Sequence, residues 1–537
     1  MRQGVIRILG IGLAAVLLVA GWIPAVTPTA AAPAGVQKGG VVSISLLGDP
    51  IMNPITGTDI SSVLVNKVLF SALVRPSPSG LRPSPDLAES WTVSADGRRW
   101  TFNLRRDVKW HDGVPFTSAD VRYTFDQILD AKIQSRQRSD FAALDRVETP
   151  DPYTAVFVLR QPFAPLPVLL GHTAGIGPKH ILEKEANVNN AHEFNKRRPV
   201  GTGPFMIREA RAGSHYILVR NPNFYREPAY LDGITFLIVK DYNVTVTKLR
   251  TGELNFVEIA PVNVPAVKNI AGMRIRSVPI VNYWEIRLNN ARVPFNDIKV
   301  RQAMTHAVDR DAILRAVIQG YGKMASGPIP DVLFWAFNRN VRKYPYDPQK
   351  ALALLKEAGW SDTDGDGVPD KVIDGKKVPF RATVSTSNGH PVMEQVGIMA
   401  HQYFKKLGLD IRLEILEYNT KIFQRVVPRN YDIDINWRVM PPDPDMLNYY
   451  ACKGGANTVN YCNPTVDDLL VRGRQIANQE ERRKIYFQFQ EIVADEAAEI
   501  FVYYPFEIQV LSLALQGVPT MGYRDGLRYA SEFWLQR

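Results

Sequence analysis

Strand-like and helix-like segments alternate along most of this chain, and that alternation limits the fold more than any other feature. VVSISLL (41–47), ITFLIV (234–239) and MRIRSV (273–278) have the composition of β-strands. Apolar residues recur every three or four positions in IKVRQAMTHAVDRDAILRAVI (298–318) and EERRKIYFQFQEIVADEA (480–497), as in helices. The alternation predicts an α/β protein built from strand–helix units. Because 537 residues exceed what one hydrophobic core accommodates, two or more domains are expected.

The first 34 residues differ from the rest. MRQGVIR supplies two arginines, ILGIGLAAVLLVAGWI is uncharged and apolar, and PAVTPTAAAPA is rich in small residues. This order is typical of a cleaved secretory signal peptide, with the cut predicted after Ala31 or Ala34. An uncleaved anchor is the alternative, although an apolar run of about sixteen residues is short for a membrane span. No cysteine lies near the cut for lipid attachment, so we predict a periplasmic protein.

The chain has only two cysteines, Cys452 and Cys462. In an exported protein the oxidising compartment favours a disulfide between them, which closes a short loop. A metal site with two thiolates is the alternative, but no nearby histidine completes four ligands.

Net charge argues against one class of partner. The chain carries 64 Lys and Arg against 54 Asp and Glu, a formal charge of +10. The basic residues are spread along the sequence without a Lys/Arg block or an aromatic-interleaved basic motif, so no nucleic-acid partner is predicted.

One short stretch places three chemically versatile residues side by side: Trp110, His111 and Asp112. Neighbouring side chains on an extended backbone diverge, so the histidine and the aspartate cannot form a catalytic dyad. Asp-Gly is a turn signal, and Thr117 with Asp120 predicts a capped helix start. The stretch is therefore interpreted as a turn between a strand and a helix. The sequence also lacks G-x-S-x-G and H-E-x-x-H motifs, so no catalytic residue is assigned and the chain is not predicted to be an enzyme.

Several segments in fixed order resemble the family 5 solute-binding proteins of ABC importers. They are LAESWTVSADGRRWTFNLR (87–105), VKWHDGVPFTSADV (108–121), PVGTGPF (199–205), NPNFY (221–225), NNARVPFNDIKVRQAMTHAVDRDAIL (289–314) and YCNPTVDDLL (461–470). The resemblance covers essentially all of the chain after the signal peptide. It implies a two-lobed periplasmic binding protein of type II, similar to the large cluster C proteins, with an extra subdomain in the first lobe and hinge strands between the lobes.

Carried onto this sequence, the resemblance implies a set of boundaries. Residues 1–34 form the signal peptide, and 36–282 form the first lobe, with the inserted subdomain at about 82–198. Residues 283–504 form the second lobe, and 505–537 return to the first. The implied activity is capture of a small solute, a peptide or another organic molecule, and its delivery by a monomeric receptor to the permease of an ABC transporter in the inner membrane. A sensor, a chaperone and, less favoured, an exported hydrolase are the alternatives.

The resemblance also implies ligand contacts in INWRVMPPDPDMLNYY (435–450). Trp437 matches a tryptophan that stacks on ligands in the family, and its neighbour Arg438 is included in the predicted site. Met440 stands where peptide binders place an aspartate for the peptide's ammonium group. Asn388 lies in a neighbourhood where dipeptide binders place an arginine for the peptide's carboxylate. Because a buried unpaired charge costs several kcal/mol, a solute other than a free α-peptide held by both termini is predicted.

Three further positions complete the predicted binding site. Tyr283 and Trp284 lie where the family crosses between lobes, next to the cleft. Arg138, close to Arg136, falls in a region from which an arginine enters the cleft of nickel-binding relatives.

The segment SDTDGDGVPDKVID (361–374), which we call the acidic loop, has the alternating oxygen-ligand spacing of a calcium-binding loop. Gly367 occupies the turn position, but Ile373 replaces the bidentate glutamate. A plain Asp/Gly turn is the alternative. We therefore predict no cofactor other than a possible structural Ca²⁺, whose candidate ligands are Asp362, Asp364, Asp366 and Asp370.

Overall fold

The computed structural model describes residues 35–78, 82–440 and 442–537. The predicted signal peptide lies outside these residues. In the described part of the chain, every helix is too short or too polar to cross a membrane.

The structure contains the strands expected at 41–47, 234–239 and 273–278, with small shifts at the ends, together with further strands. In chain order they are β1 (Val41–Leu46), β2 (Val74–Pro76), β3 (Pro83–Pro85), β4 (Ala88–Val93), β5 (Arg99–Leu104), β6 (Leu144–Asp151), β7 (Thr154–Leu159), β8 (Phe205–Arg211), β9 (His215–Arg220), β10 (Gly233–Ile238), β11 (Phe256–Ile259), β12 (Met273–Pro279), β13 (Asn282–Leu288), β14 (Gly322–Met324), β15 (Asp370–Ile373), β16 (Lys376–Pro379), β17 (Arg381–Ser387), β18 (Asp410–Leu416), β19 (Ile433–Val439), β20 (Ile500–Ser512), β21 (Leu515–Gln516) and β22 (Trp534–Leu535).

The helices between them are α1 (Ile60–Leu69), α2 (Ser118–Leu129), α3 (Leu166–His172), α4 (Lys179–Leu182), α5 (His192–Lys196), α6 (Tyr242–Arg250), α7 (Val264–Val267), α8 (Ile298–His306), α9 (Arg310–Ile318), α10 (Pro348–Glu357), α11 (Pro391–Lys405), α12 (Tyr418–Lys421), α13 (Leu447–Tyr450), α14 (Pro464–Gln475), α15 (Gln479–Asp495) and α16 (Tyr523–Gly526). The mixture confirms the predicted α/β class.

One predicted helix is divided in the structure. The segment 298–318, treated as one helical stretch above, forms α8 and α9. Asp309 interrupts it, because its carboxylate accepts a hydrogen bond from the backbone N–H of Ala312 at 2.8 Å and so caps a new helix.

The large mixed sheet has the strand order β18-β17-β19-β13-β20-β11-β1-β10-β9-β8, and β12 and β14 also pair with β20. Apolar side chains pack on both of its faces. We use the term first lobe for the part of the sheet that has Val42, Ile44 and Phe236 on one face and Val257 on the other. The second lobe is built in the same way around two further cores, one containing Ile286, Val384 and Phe404 and the other Met440, Tyr450 and Phe489.

Strand β20 takes part in both lobes. Its first residues pair with β13, and Ile508 to Leu511 pair with β11. A separate sheet, β4-β5-β7-β6, packs with α2 against the first lobe's core, which also contains Trp110 of the Trp-His-Asp stretch.

The Trp-His-Asp stretch forms a turn, as predicted. His111 bridges two loops: its Nδ1 accepts a hydrogen bond from the N–H of Gly201, and its Nε2 lies 3.0 Å from the carbonyl oxygen of Gly203. Asp112 contacts a different histidine, His180, at 2.8 Å. The predicted helix cap is also present, since Asp120 accepts a hydrogen bond from the N–H of Thr117. These contacts give His111 and Asp112 structural partners.

Candidate functional site

An aromatic cluster lies in the second lobe at the carboxyl ends of three strands. β17 is parallel to both β18 and β19, so Ser387, Leu416 and Val439 end these strands at one edge of the sheet. In open α/β sheets this edge is where ligands bind. The cluster, which we call the aromatic platform, consists of Trp284, His390, Tyr418, Trp437 and Tyr503.

Trp437 is the centre of the aromatic platform. Its ring centroid lies 4.9 Å from that of His390, 5.4 Å from that of Trp284 and 5.8 Å from that of Tyr418. Trp284 in turn stacks on Tyr503 at 5.8 Å. These separations are those of favourable aromatic pairs. Trp437 remains half-buried, so part of its surface is available for a further contact.

Strand pairing explains why the two tryptophans meet. β13 and β19 are antiparallel, and their register places Trp284 directly opposite Trp437. Because successive side chains of a strand point to opposite faces, the neighbours Tyr283 and Arg438 lie together on the other face. The predicted site residues are thus divided between the two sides of the sheet.

The other face holds a buried ionic cluster that the sequence analysis missed. It is formed by Glu285, Arg287, Lys421, Asp434, Arg438 and Glu499, of which none exceeds 6% exposure.

Within the ionic cluster, Arg287 binds Glu285 through its Nε at 2.6 Å, and Lys421 binds Asp434 at 2.6 Å. The Nη2 of Arg438 lies 3.4 Å from both carboxylate oxygens of Glu285, and its Nε has no hydrogen-bond partner within the described residues. Arg438 is therefore the most loosely held of these cations.

Burial and charge separate the pKa values of the two glutamates. Burial raises the pKa of Glu285, but Arg287 and Arg438 outweigh this effect and bring the pKa down to about 2. Burial and the neighbouring Glu285 raise the pKa of Glu499 well above its usual range. Glu499 accordingly bears the proton when the pair shares one, and it accepts hydrogen bonds from the hydroxyls of Tyr450 and Tyr283.

The remaining predicted ligand contacts have separate locations. Asn388 is exposed in the loop that precedes His390, beside the aromatic platform. Met440 is 6% exposed and packs in a core of the second lobe. The guanidinium of Arg138 donates to the carbonyl oxygens of Ile128, Asp130 and Ile133, so it covers the carboxyl end of α2. The structure therefore brings Trp437 and Trp284 together, with Asn388 two residues before His390 of the platform, but it does not join Met440 or Arg138 to them.

The sequence analysis also missed three members of the aromatic platform: His390, Tyr418 and Tyr503. His390 and Tyr418 closely follow the ends of β17 and β18, so locating these two strands in the sequence would have indicated both residues. Tyr503 lies within a continuous apolar strand and gave no comparable signal. Its hydroxyl is buried and has no hydrogen-bond partner in the described part of the chain.

The acidic loop brings together three of its four predicted ligands. Oxygens of Asp362, Asp364 and Asp370 lie within 4.8 Å of one another. Lys377 already contacts two of these residues, with its ammonium 2.5 Å from Asp364 and 3.2 Å from Asp370.

Asp366 is outside this group and accepts a hydrogen bond from the N–H of Val368. The carboxylates of the acidic loop can offer oxygen ligands to Ca²⁺, but the ion would compete with a lysine.

The predicted disulfide is confirmed. Cys452 and Cys462 are bonded, with their Cα atoms 4.3 Å apart. The bond closes the loop between α13 and α14, next to the second lobe's apolar core.

Comparison with known proteins identifies the family. Residues 82–458 match the bacterial extracellular solute-binding proteins, family 5 Middle. The oligopeptide-binding protein AppA of Bacillus subtilis is 30% identical over 93% of this chain and 92% of its own. Its structure in complex with a nonapeptide has a TM-score of 0.73, with 28% identity, and covers 94% of this chain and all of AppA.

Two other solved structures are similar throughout. The ABC transporter substrate-binding protein CtaP of Listeria monocytogenes has a TM-score of 0.82 at 27% identity, covering 93% of this chain and 100% of that one. NikZ of Campylobacter jejuni, in complex with Ni(L-His), has a TM-score of 0.74 at 25% identity, covering 92% and 99%. These similarities confirm the two-lobed fold expected from the sequence motifs. The chain belongs to the family 5 bacterial extracellular solute-binding proteins.

Proposed function

We propose that this chain is exported by a cleaved signal peptide and acts in the periplasm as the monomeric receptor of an ABC importer. It captures a small organic solute between its lobes and delivers it to the permease. The aromatic platform is the observation that carries this proposal, because a half-buried tryptophan at the ligand-binding edge of the sheet offers a flat contact surface at low entropic cost.

The surroundings of the platform favour a peptide-like solute without charged termini. Position 440, where an aspartate would neutralise an ammonium group, carries a methionine packed in an apolar core. The loop Ser387-Asn388-Gly389 supplies neutral groups where a carboxylate would need an arginine. Two nearby cations are already paired, Lys421 with Asp434 and Arg425 with Glu414. A free terminus enclosed here would lose its hydration without gaining a counter-charge.

The binding itself requires no chemical step. The solute's apolar parts stack on Trp437, and its polar groups meet the neutral loop around Asn388. The energy of these contacts favours the closed arrangement of the lobes, which is the form presented to the permease. AppA was solved with a nonapeptide and NikZ with Ni(L-His), so relatives with this fold hold ligands of very different chemistry.

The proposal is tested with purified mature protein and two matched tripeptides. One peptide has free termini, and the other is acetylated and amidated. Titration calorimetry should show tighter binding of the blocked peptide. Mass spectrometry of the solute that co-purifies extends the comparison to non-peptide ligands.

Trp437→Ala should weaken binding of the co-purifying solute or the blocked peptide by about 1–3 kcal/mol, the range for losing a packed aromatic contact. Trp91→Ala is the matched control, since Trp91 is a partly buried tryptophan packed against the core of the first lobe. Tighter binding of the free peptide would show that the argument from the termini is wrong. An equal loss in both variants would show that Trp437 is not at the binding site.

A further inference from the structure

The second lobe contains a cavity of about 740 Å³ that is separate from the aromatic platform. None of the five platform residues lines it. Its walls come from the junction of α8 and α9, from β14, from residues 337–346 and from the chain that leads out of α15 into β20. Cavities of roughly 300–1,000 Å³ are the usual size of small-molecule sites.

The interior of this cavity is largely apolar and aromatic. Val308, Met324, Phe337, Tyr344 and Phe501 all contribute to its lining. The hydroxyl of Tyr344 donates a hydrogen bond to the carbonyl oxygen of Ala494, and burial raises the pKa of this phenol to about 12. The walls therefore favour the apolar body of a ligand over water.

Arg310 fixes three of the walls to one another. It is 8% exposed, and its guanidinium donates to the carbonyl oxygens of Ala325, Phe501 and Tyr344. Arg310 thus connects the walls of the cavity through hydrogen bonds within the protein. The shape of the cavity therefore does not depend on a ligand being present.

The rim of the cavity is cationic. Arg339, Arg342 and Lys343 line it and are exposed, and no ion pair within the described residues involves any of them. Arg342 lies over the ring of Tyr344, 5.3 Å from its centroid, which directs its charge to the cavity wall.

The acidic residues around the cavity do not cancel these charges. Asp309 is engaged as the cap of α9, and Asp311 lies near the buried Arg310. Glu499 also lines the cavity, but burial and Glu285 raise its pKa and so weaken its negative charge. The cations that line the cavity, Arg310, Arg339, Arg342 and Lys343, outnumber its carboxyl groups, Asp309, Asp311 and Glu499.

We infer that this cavity is an accessory binding site for a small anionic amphiphile, a molecule with an apolar or aromatic body and one acidic group. The body would occupy the space between Phe337, Tyr344 and Phe501, and the acid would lie at the rim between Arg342 and Lys343. The site would operate independently of solute capture at the platform.

The test uses 4-phenylbutyrate as the probe and 4-phenylbutylamine as its control, since the two share an apolar body and differ in the sign of the charge. Titration calorimetry of the mature protein at low ionic strength should detect the carboxylate and not the amine. Arg342→Gln combined with Lys343→Gln should weaken binding of the carboxylate about fivefold or more, as expected for the loss of about 1 kcal/mol. The matched control is Arg472→Gln, an exposed arginine on α14, which should change binding less than about twofold.

A second measurement locates the probe. With methyl-labelled methionine, 4-phenylbutyrate should shift the resonance of Met324, assigned through Met324→Leu, and leave that of Met440 unchanged. Trp437→Ala should not alter this shift, which separates the accessory site from the platform. Four results would each overturn the inference. They are equal binding of the two probes, absence of binding at about 10 mM, a probe affinity unchanged by the rim substitutions, and an unmoved Met324 resonance. A dissociation constant of about 10 mM corresponds to a binding free energy of about −3 kcal/mol.

Discussion

Arg438→Met is the substitution that tests the ionic cluster most directly. It keeps most of the side-chain volume but removes a cation held beside two carboxyl groups. In the native protein the Nη2 of Arg438 lies 3.4 Å from Glu285 and 3.9 Å from Glu499, and all three side chains are at most 5% exposed. Removing one partner from a buried ion pair typically costs about 3–5 kcal/mol, because the other charge is left uncompensated.

The structure favours the lower end of that range. The contacts of Arg438 are longer than the ~2.7–2.9 Å of a strong charge-assisted hydrogen bond. Arg287 also remains bound to Glu285 in the variant. We therefore expect the free energy of unfolding to fall by about 3 kcal/mol at pH 7. Urea unfolding followed by tryptophan fluorescence measures this change.

The dependence on pH provides the decisive comparison. The depressed pKa of Glu285, about 2, contributes stability that is fully present above the unfolded value of about 4.3 and is lost as the pH falls towards 2. Without Arg438 that pKa rises, so the difference between the two proteins should be smaller at pH 4 than at pH 7. Arg425→Met is the control, because the Arg425–Glu414 pair is about a third exposed and should contribute at most about 1 kcal/mol. A loss at pH 4 equal to that at pH 7 would refute the electrostatic reasoning and assign the cost to packing.

Three further outcomes are expected. Gly203→Ala should lower the free energy of unfolding by about 3 kcal/mol, since a Cβ there would lie 2.3 Å from the carbonyl oxygen of Val68. The control Gly48→Ala should leave the free energy of unfolding unchanged, because its Cβ would meet no neighbour within 4 Å. Millimolar calcium should raise the melting temperature if the acidic loop binds it, and more so in Lys377→Gln, whereas an unchanged temperature in both proteins counts against the site. Burial lowers the pKa of His111 to about 4, so the free energy of unfolding should fall as the pH decreases from about 6.5 to 4. In His111→Gln, urea unfolding should show a smaller fall over the same pH range.

Local patterns in the sequence predicted local structure well. The alternation of β1 and the three- and four-residue periodicity of α15 identify these elements because each depends only on its own residues. The capped start of α2 and the Cys452–Cys462 bond likewise arise from residues close together in the chain. The division into α8 and α9 was missed because neither glycine nor proline marks it, and only the capping contact of Asp309 does.

The candidate site was less predictable because it depends on the pairing of distant strands. Trp284 meets Trp437 only through the register of β13 and β19, which no short motif specifies. The same register buries Arg438 next to Glu285, although an isolated arginine beside a predicted ligand contact suggests an exposed role. The sequence therefore indicated which residues to consider. The face of the sheet on which each residue lies depends on the long-range pairing of strands, which the sequence alone did not reveal.

The shared strand β20 also has a consequence for the order in which the chain can fold. The first lobe begins at the amino end, but its strands β11 and β12 find a hydrogen-bonding partner in residues 506–512, close to the carboxyl end. A chain that emerges from its amino end must therefore leave this sheet incomplete until almost all of it has appeared. The lobe that is made first is therefore completed only by the carboxyl end of the chain. The second lobe waits for the same strand, because β13 and β14 pair with the first residues of β20. Loss of the last few dozen residues would consequently damage the lobe most distant from them in the sequence.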